Sequence, residues 1–294
     1  MRRHRTTALL LSIVAALAAG VARAQPPKPR AVPPLIFPVV GAAAYSDDFG
    51  DPRGQGSHEG NDIVAPRRAI AVAPEAGTIK FHATSSRAGC MIYLQGDSGT
   101  SYRYIHLNND LGAGNDNRGS CVAGVAYAPG LKSGARVAAG EPVGYVGDSG
   151  DADGASAHLH FEVHPGDAAA VSPYPYLQAA RKLLFAARPG STFTMALRGS
   201  VVKVGGDGVL TLRLDGIRTW PGGRRTAQSG RTVEIAVSPS AAFTDSANPL
   251  LKPVGPKVAR RGQRAVVWTQ PAPVTLSAQL GEPFALTAER VELS

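Results

Sequence analysis

The sequence predicts a mainly β protein: a compact antiparallel sheet or sandwich, followed by a small unit that resembles a β-barrel. Short runs of apolar and β-branched residues are separated by glycines along the whole chain, which holds 34 glycines and 23 prolines. Helix-type periodicity is weak outside one segment near the middle of the chain. Because the runs follow one another closely, they indicate antiparallel strands rather than strands joined by helices.

Residues 1–24 have the features of an export signal. Arginines near the start make it positive, and Ala8 to Val21 form an apolar run that is short for a membrane span. Ala22-Arg23-Ala24 then fits a cleavage site. We therefore predict an exported protein, periplasmic or secreted, with an uncleaved N-terminal anchor as the alternative. No later apolar stretch is long enough to cross a bilayer, so no membrane contact is expected after cleavage.

A first domain is predicted over residues 37–189, after a proline-rich linker at 25–36. A helix from Pro173 to Ala187 is expected to close this domain, because apolar residues recur along it and Pro189-Gly190 follow. The predicted strands of this domain are Ala69 to Ala73, Gly77 to His82, Met91 to Leu94, Tyr102 to His106, Glu141 to Val146 and Leu159 to Val163.

A second, basic β domain is predicted over residues 190–294. It contains no histidine or cysteine, so binding or a purely structural role is more natural there than catalysis. In an exported protein, its 13 basic against 7 acidic side chains favour an anionic polymer of the cell envelope as partner. The alternative is a solvated surface without a partner. No basic patch interleaved with aromatic residues is evident, so nucleic acid is not expected. The predicted strands are Phe193 to Val204, Val209 to Leu214, Thr232 to Val237, Gln263 to Thr269 and Phe284 to Leu293.

The chain has two cysteines, Cys90 and Cys121. Disulfides persist in oxidising compartments, so we predict that these residues are bonded to each other, with two free thiols as the alternative. Two cysteines without close spacing are a poor zinc-finger pattern. The predicted bond would bracket the segment that contains His106.

Histidines and a carboxylate of the first domain are spaced as a metal site needs. His158 and His160 are two positions apart on a predicted strand, so their side chains share one face, about 6–7 Å apart. Three residues separate His58 from Asp62, and Gly60 gives the backbone between them freedom to curl. With one histidine of the pair, they would give three ligands to one zinc ion per chain. The fourth position would be left for water, as in catalytic zinc sites.

Four sequence blocks carry a resemblance to a known family. They are His58 to Ile63 (HEGNDI), Tyr104 to Leu107 (YIHL), Gly134 to Gly147 (GARVAAGEPVGYVG) and His158 to Val163 (HLHFEV). In this order and approximate spacing they resemble the LytM/lysostaphin-type zinc peptidases, the M23 family, over about residues 37–165. The resemblance implies a compact antiparallel β-structure of LytM type with zinc in a groove. It also implies hydrolysis of peptide bonds in the cross-links or stem peptides of peptidoglycan.

The same resemblance assigns roles to individual residues. His58, Asp62 and His160 match the family's zinc ligands, and His106 and His158 match the two metal-free histidines beside the zinc-bound water. A neutral histidine of that pair could accept the water proton, and a protonated one could stabilise the oxyanion. Which residue does which stays open.

The resemblance leaves two alternatives to a peptidoglycan endopeptidase. One is a non-catalytic LytM-like module that binds the cell wall or regulates an amidase, and the other is a peptidase for secreted proteins or peptides. The first alternative is less favoured because such modules usually lack some ligands, whereas all five expected positions are filled here.

Other residues near these blocks carry weaker expectations. Arg53 could bind a substrate carboxylate, with a structural salt bridge as the alternative. We expect His82 and His164 to lie outside the site, with His164 on the strand face opposite to His158 and His160. The segment from Asn108 to Pro129 is longer than the family's usual connection. It predicts a disulfide-tethered loop at the groove edge that narrows substrate choice.

Overall fold

The described chain is organised around two large β-sheets, each with its own apolar core. The computed structural model describes residues 31–54, 56–82, 85–206, 208–228, 230–246 and 258–294. The predicted export signal at 1–24 and the first part of the predicted linker at 25–36 lie outside these ranges. Within them, no helix is both long enough and apolar enough to cross a membrane.

The first unit is built of short strands, two 3₁₀ turns and one α-helix. The strands are β1 (Pro52–Arg53), β2 (Gly56–Ser57), β3 (Asn61–Val64), β4 (Ile70–Val72), β5 (Gly77–Phe81), β6 (Cys90–Gly96), β7 (Ser101–Leu107), β8 (Arg136–Val137), β9 (Pro142–Tyr145) and β10 (His158–His164). The 3₁₀ turns are Gly150–Ala152 and Pro165–Asp167, and helix α1 is Tyr174–Ala179. Each strand predicted for this unit is present.

Strands β3–β10–β7–β6–β5–β8 form a six-stranded sheet in that order, with antiparallel neighbours throughout. This confirms the mainly β, antiparallel fold class predicted for the unit. On β10, Leu159, Phe161 and Val163 are fully buried in the core. Because alternate residues project from opposite faces of a strand, the even-numbered residues of β10 share the other face.

The helix predicted from Pro173 to Ala187 is wrong in its length. Helix α1 ends at Ala179, and Ala180 has an extended backbone with φ −67° and ψ 140°. The next residues pair with the start of the unit, since Arg181 N–H donates to Leu35 O at 3.0 Å. Tertiary pairing therefore overrides the helical pattern. The apolar residues of the segment predicted as a helix are divided between the two cores, with Leu177 in the first and Leu184 and Phe185 in the second.

The second unit contains a closed barrel. Its elements are β11 (Thr192–Val204), β12 (Val209–Trp220), β13 (Arg224–Ala227), β14 (Thr232–Asp245), β15 (Arg264–Thr269), β16 (Ala272–Pro273), helix α2 (Leu276–Leu280) and β17 (Thr287–Leu293). Pairing runs β11–β12–β14–β17–β15 and back to β11, so these five strands have no free edge. The five predicted strands are these five. All pairs in the ring are antiparallel except β14–β17, which is parallel.

Buried contacts join the two units. A small apolar cluster contains Ile36, Val40 and Val72 of the first unit together with Leu183 and Leu280. Among the polar contacts, the buried Gln279 side chain donates to the carbonyl of Gly140 at 3.1 Å. Because these groups are covered only when the units are in contact, the barrel unit packs directly against the first unit.

Candidate metal centre

The register of β3 and β10 brings two of the predicted ligands together. Asp62 of β3 lies directly opposite His160 of β10, and side chains of paired residues project from the same face. His58 follows β2, and its backbone N–H donates to Asp51 O at 2.9 Å. Gly60 then allows the turn to lie against β10, because a Cβ there would come within 2.7 Å of His160 Nε2. His58, Asp62 and His160 therefore converge, as predicted.

Three donor atoms form a nearly equilateral triangle. His58 Nε2 is 2.9 Å from His160 Nδ1 and 3.1 Å from Asp62 Oδ1, and His160 Nδ1 is 3.0 Å from Asp62 Oδ1. Two ligands of a tetrahedral zinc ion with bonds of about 2.0–2.1 Å lie roughly 3.3–3.4 Å apart. A slight opening of the triangle would match that spacing, so this donor set fits zinc.

The outer nitrogen of each ligand histidine is held by an acceptor. His58 Nδ1 donates to the carbonyl of Asp48 at 2.8 Å, and His160 Nε2 donates to Glu162 Oε1 at 3.2 Å. A ring nitrogen that donates carries its proton there. The lone pair of the other nitrogen is then available to a metal, and this arrangement is typical of metal-binding histidines.

Opposite charges and hydrogen bonds stabilise the ionised forms of this corner. Burial alone would raise the pKa of the Asp62 carboxyl, but hydrogen bonds with His160 and His58 outweigh it and hold that pKa well below its usual range. Burial would lower the pKa of His160, but hydrogen bonds with Asp62 and Glu162 raise it to about 9. In the metal-free protein at neutral pH, His160 Nδ1 therefore keeps a proton that it donates to Asp62, and a bound metal cation would replace that proton.

A bulge in β7 directs His106 toward the same groove. Cys90 pairs with Leu107 and Ile92 with Tyr104, so β7 has one more residue than β6 between these pairs. His106 lies in this bulge with φ +58°, a left-handed conformation uncommon for a residue other than glycine. A bulge reverses the alternation of side chains, and here it turns toward the groove a histidine that regular pairing would place on the core face.

His106 and His158 form a second pair of histidines beside the triangle. Their rings meet edge to face with centroids 5.1 Å apart, and His158 Nε2 is 3.8 Å from Asp62 Oδ1. His106 Nδ1 donates to Ser149 O at 2.8 Å, and His158 Nδ1 donates to Ser156 O at 2.9 Å. Burial lowers the pKa of His106 to about 4 despite the bond to Ser149. At neutral pH the His106 ring is therefore uncharged in the metal-free protein.

These histidines line an open groove of about 800 Å³. Arg53 lies at its rim with 39% of its side chain exposed, and Arg53 Nη2 donates to Asp62 Oδ2 at 3.0 Å. The structural ion pair is thus present, and contact with a substrate carboxylate stays a prediction. Arg87 and Asp151 lie on the facing wall, with 3.9 Å between Arg87 Nε and Asp151 Oδ2.

The disulfide predicted between Cys90 and Cys121 is present. It ties the segment after β7 to the start of β6. Asn115 and Asn117 of this segment each donate to Asp153 Oδ1 at 2.8 Å, beside the 3₁₀ turn that walls the groove. The long segment therefore braces a wall of the groove, and an effect on substrate choice stays a prediction.

The expectation for His164 is wrong in part. His164 has the same parity as His158 and His160, and all three lie on one face of β10. His164 is 3% exposed and contacts Glu162, so it belongs to the polar layer behind the groove rather than to the periphery. Counting strand positions from His158 would have found both Glu162 and His164. His82 stacks on Tyr93 and is not among the groove-lining residues.

Comparison with solved structures finds LytM- and lysostaphin-type peptidases among the similar chains. The Ruminococcus gnavus protein assigned as the glycyl-glycine endopeptidase LytM is 26% identical, over 49% of this chain and 59% of its own, with a TM-score of 0.38. The catalytic domain of the antimicrobial peptidase lysostaphin from Staphylococcus simulans is 24% identical, over 46% of this chain and 92% of that domain, with a TM-score of 0.36.

A third similar structure is the catalytic domain of the prophage-encoded M23 protein EnpA from Enterococcus faecalis. It is 22% identical, over 50% of this chain and 94% of that domain, with a TM-score of 0.33. The match spans less than two thirds of the Ruminococcus gnavus protein. No protein-family model matches the chain. Proteins of the family to which the sequence blocks point are thus found among the similar structures.

Proposed function

We propose that this protein is a zinc endopeptidase that hydrolyses peptide bonds in the cross-links or stem peptides of peptidoglycan. One observation carries the proposal. Each of four histidines in the groove donates a hydrogen bond from one ring nitrogen to an oxygen acceptor, and its other ring nitrogen faces the groove. Side chains prepared in this way are set to bind a metal or to transfer a proton, and structural histidines do not need that arrangement.

In the proposed reaction, His58, Asp62 and His160 would hold the metal through Nε2, Oδ1 and Nδ1. A bound zinc ion supplies a Lewis acid and lowers the pKa of a bound water. Arg53 holds the second oxygen of Asp62 and keeps Oδ1 directed into the triangle.

His106 and His158, which are not metal ligands, are the proposed proton-transfer groups. Their Nε2 atoms are the free nitrogens, because both Nδ1 atoms donate to backbone carbonyls. Since burial lowers the pKa of His106 to about 4, the neutral ring can accept a proton at neutral pH. His106 and His158 together would accept the proton of the attacking water and deliver one to the leaving amine.

The groove supports a peptide as the substrate. It is open and it is lined by both cationic and anionic side chains, such as Arg53, Arg87, Glu59 and Asp151. An extended peptide with charges of both signs would be matched by such walls. The choice of peptidoglycan rests on the resemblance of the four sequence blocks, and the predicted export signal agrees with it.

A single experiment tests the function. Zinc content and release of muropeptides from purified sacculi are measured for the protein without residues 1–24. His58→Ala should lose both properties, whereas His106→Ala should keep the metal and lose release by about 100-fold or more. His82→Ala, a histidine outside the groove, is the matched control and should keep both. Zinc binding without release from any sacculus would instead favour the non-catalytic, wall-binding alternative.

We also propose that the barrel binds an anionic polymer of the envelope. Arg225 of β13 pairs with Arg218 of β12, so two cationic residues occupy opposite positions of neighbouring strands. Arg218 lies 5.0 Å above the ring of Trp220, the rings of Trp220 and Trp268 stack at 5.3 Å, and Arg290 lies 4.5 Å from Trp268. Stacking fixes the orientation of a guanidinium. Arg218 Nε donates to Gly223 O and Arg290 Nε contacts Glu292 Oε1, both at 3.2 Å, so the Nη groups are the ones proposed to bind carboxylate or phosphate.

A further inference from the structure

Behind the candidate metal centre, β10 carries a buried polar layer. His160, Glu162 and His164 share one face of the strand, and their side chains are only 11%, 5% and 4% exposed. Arg103 of β7 lies directly opposite Glu162 in the antiparallel register. Burying charged side chains costs free energy unless each is paired. The retention of Glu162, His164 and the half-buried Arg103 behind a candidate metal ligand therefore requires a physical reason.

The Glu162 carboxylate is the centre of this layer. Its Oε1 accepts from His160 Nε2 at 3.2 Å, while its Oε2 accepts from His164 Nε2 at 2.6 Å and contacts Arg103 Nη1 at 3.1 Å. The other nitrogen of His164 donates to Ala168 O at 2.8 Å. With both oxygens engaged, the carboxylate has no freedom to rotate away from His160.

Glycine at position 60 restricts the imidazole further. His160 Nε2 and Cε1 lie 2.7 and 2.9 Å from the position that a Cβ of Gly60 would occupy. The ring is thus packed between the turn after His58 and the Glu162 carboxylate. Only rotation of the whole side chain could exchange Nδ1 for Nε2 at the donor triangle.

We propose that Glu162 is a positioning residue, which keeps the proton of His160 on Nε2 and directs Nδ1 to the metal, and that Arg103 and His164 hold Glu162 for this task. For His58, the backbone carbonyl of Asp48 performs the same function at 2.8 Å, and the carboxylate of Asp48 is farther from Nδ1, at 3.5 Å. The metal part of this inference rests on the proposed zinc site, whereas the orientation of His160 can be measured without any metal.

The test combines zinc affinity with a direct signal from His160. Zinc dissociation constants, measured by competition with a chelator, should rise about 10- to 100-fold in Glu162→Ala and by less in Glu162→Gln, which keeps an acceptor oxygen. The matched control is Glu75→Gln, a carboxylate that bonds Ser98 and Tyr102 away from the groove; its constant should stay within about twofold.

Proton NMR of the metal-free protein gives the second readout. A His160 Nε2–H resonance protected from solvent exchange is expected in the wild type and in Glu75→Gln, and its protection should be lost in Glu162→Ala. A purely structural role of Glu162 would lower thermal stability and leave this signal in place. Unchanged zinc affinity or a persistent Nε2–H signal in Glu162→Ala would overturn the proposal.

The two readouts also separate this inference from the proposed function. If the wild-type protein bound no zinc, the zinc peptidase would be rejected, while the Nε2–H signal would still decide whether Glu162 orients His160. If Glu162→Ala did not fold, Glu162→Gln would replace it in both measurements, with weakened protection and a zinc constant raised beyond the twofold limit as the expected result.

Discussion

The two β units of this protein differ in what they bury. In the first sheet, the groove face of β10 buries a histidine, a carboxylate and a second histidine, with His160, Glu162 and His164 at 9%, 4% and 3% exposure. In the barrel, the interior of the ring is an apolar cluster of Leu, Val, Ile, Phe, Met and Ala residues. Both units have β-structure and tight turns, yet among the described residues the buried histidines and carboxylate belong to the first unit.

This difference shows that the first unit buries ionisable side chains, whose burial costs free energy. A buried ionised group is unfavourable by several kcal/mol unless charges and hydrogen bonds compensate it. The first unit supplies this compensation through Asp62, Arg53 and Arg103, and its charges meet at an open groove. Among the described residues of the barrel, the core cluster is apolar, so the exposed cations are the candidates for interaction.

The largest expected contrast is in the pH dependence of stability. In the metal-free protein, the pKa of His160 is about 9, above its value of about 6.5 in the unfolded chain. The stabilisation is therefore fully present below about pH 6.5 and is lost as pH rises through about 9. Its size is on the order of 3 kcal/mol at about 1.4 kcal/mol per unit of pKa. His160→Gln should remove this loss.

The chain offers separate optical probes for the two units. All eight tyrosines precede residue 190, and both tryptophans, Trp220 and Trp268, follow it. In the presence of a chelator, the free energy of unfolding measured by tyrosine absorbance should fall between pH 7 and 10. The free energy of unfolding measured by tryptophan fluorescence should change much less. Parallel profiles for the wild type and His160→Gln would show that another group causes the loss.

A smaller contrast is expected when one methyl group is added to each unit. In Gly60→Ala the new Cβ would lie 2.7 Å from His160 Nε2 and from Phe161 O, whereas at Gly206 of the second unit no atom lies within 4 Å. Gly60→Ala should lower stability by about 1–3 kcal/mol and weaken zinc binding about tenfold. Gly206→Ala is the matched control and should change stability by less than about 0.5 kcal/mol. Equal effects of the two variants would contradict the close packing of the turn against β10.

The same comparison explains what could be predicted from the sequence. Strand periodicity was sufficient for the five barrel strands, because each buries one apolar face. The convergence of His58, Asp62 and His160 was predicted from spacing and resemblance. The end of α1 at Ala179 was not predicted, because Leu184 and Phe185 pack into a second core that the local sequence pattern does not reveal.

The bulge at His106 shows a similar limit. A regular strand through Tyr104 and Leu107 would direct His106 into the core, and one extra residue in β7 reverses this. Such an insertion depends on the partner strand and not on the residues of β7 alone. The role of Glu162, in contrast, was within reach of simple strand parity. Long-range register is therefore the part that sequence reasoning could not supply.

The smallest expected effect concerns the surface of the barrel. Arg218→Ala combined with Arg225→Ala should weaken retention on purified cell walls several-fold at low salt, and this difference should fade as salt screens the charges. The matched control, Arg198→Ala with Arg213→Ala, removes the same charge from exposed positions of β11 and β12. Point variants are preferable to deletion of residues 190–294, since deletion would expose the apolar cluster between the units. An equal loss in both double variants would assign retention to net charge, and no loss in either would reject the barrel as a wall-binding unit.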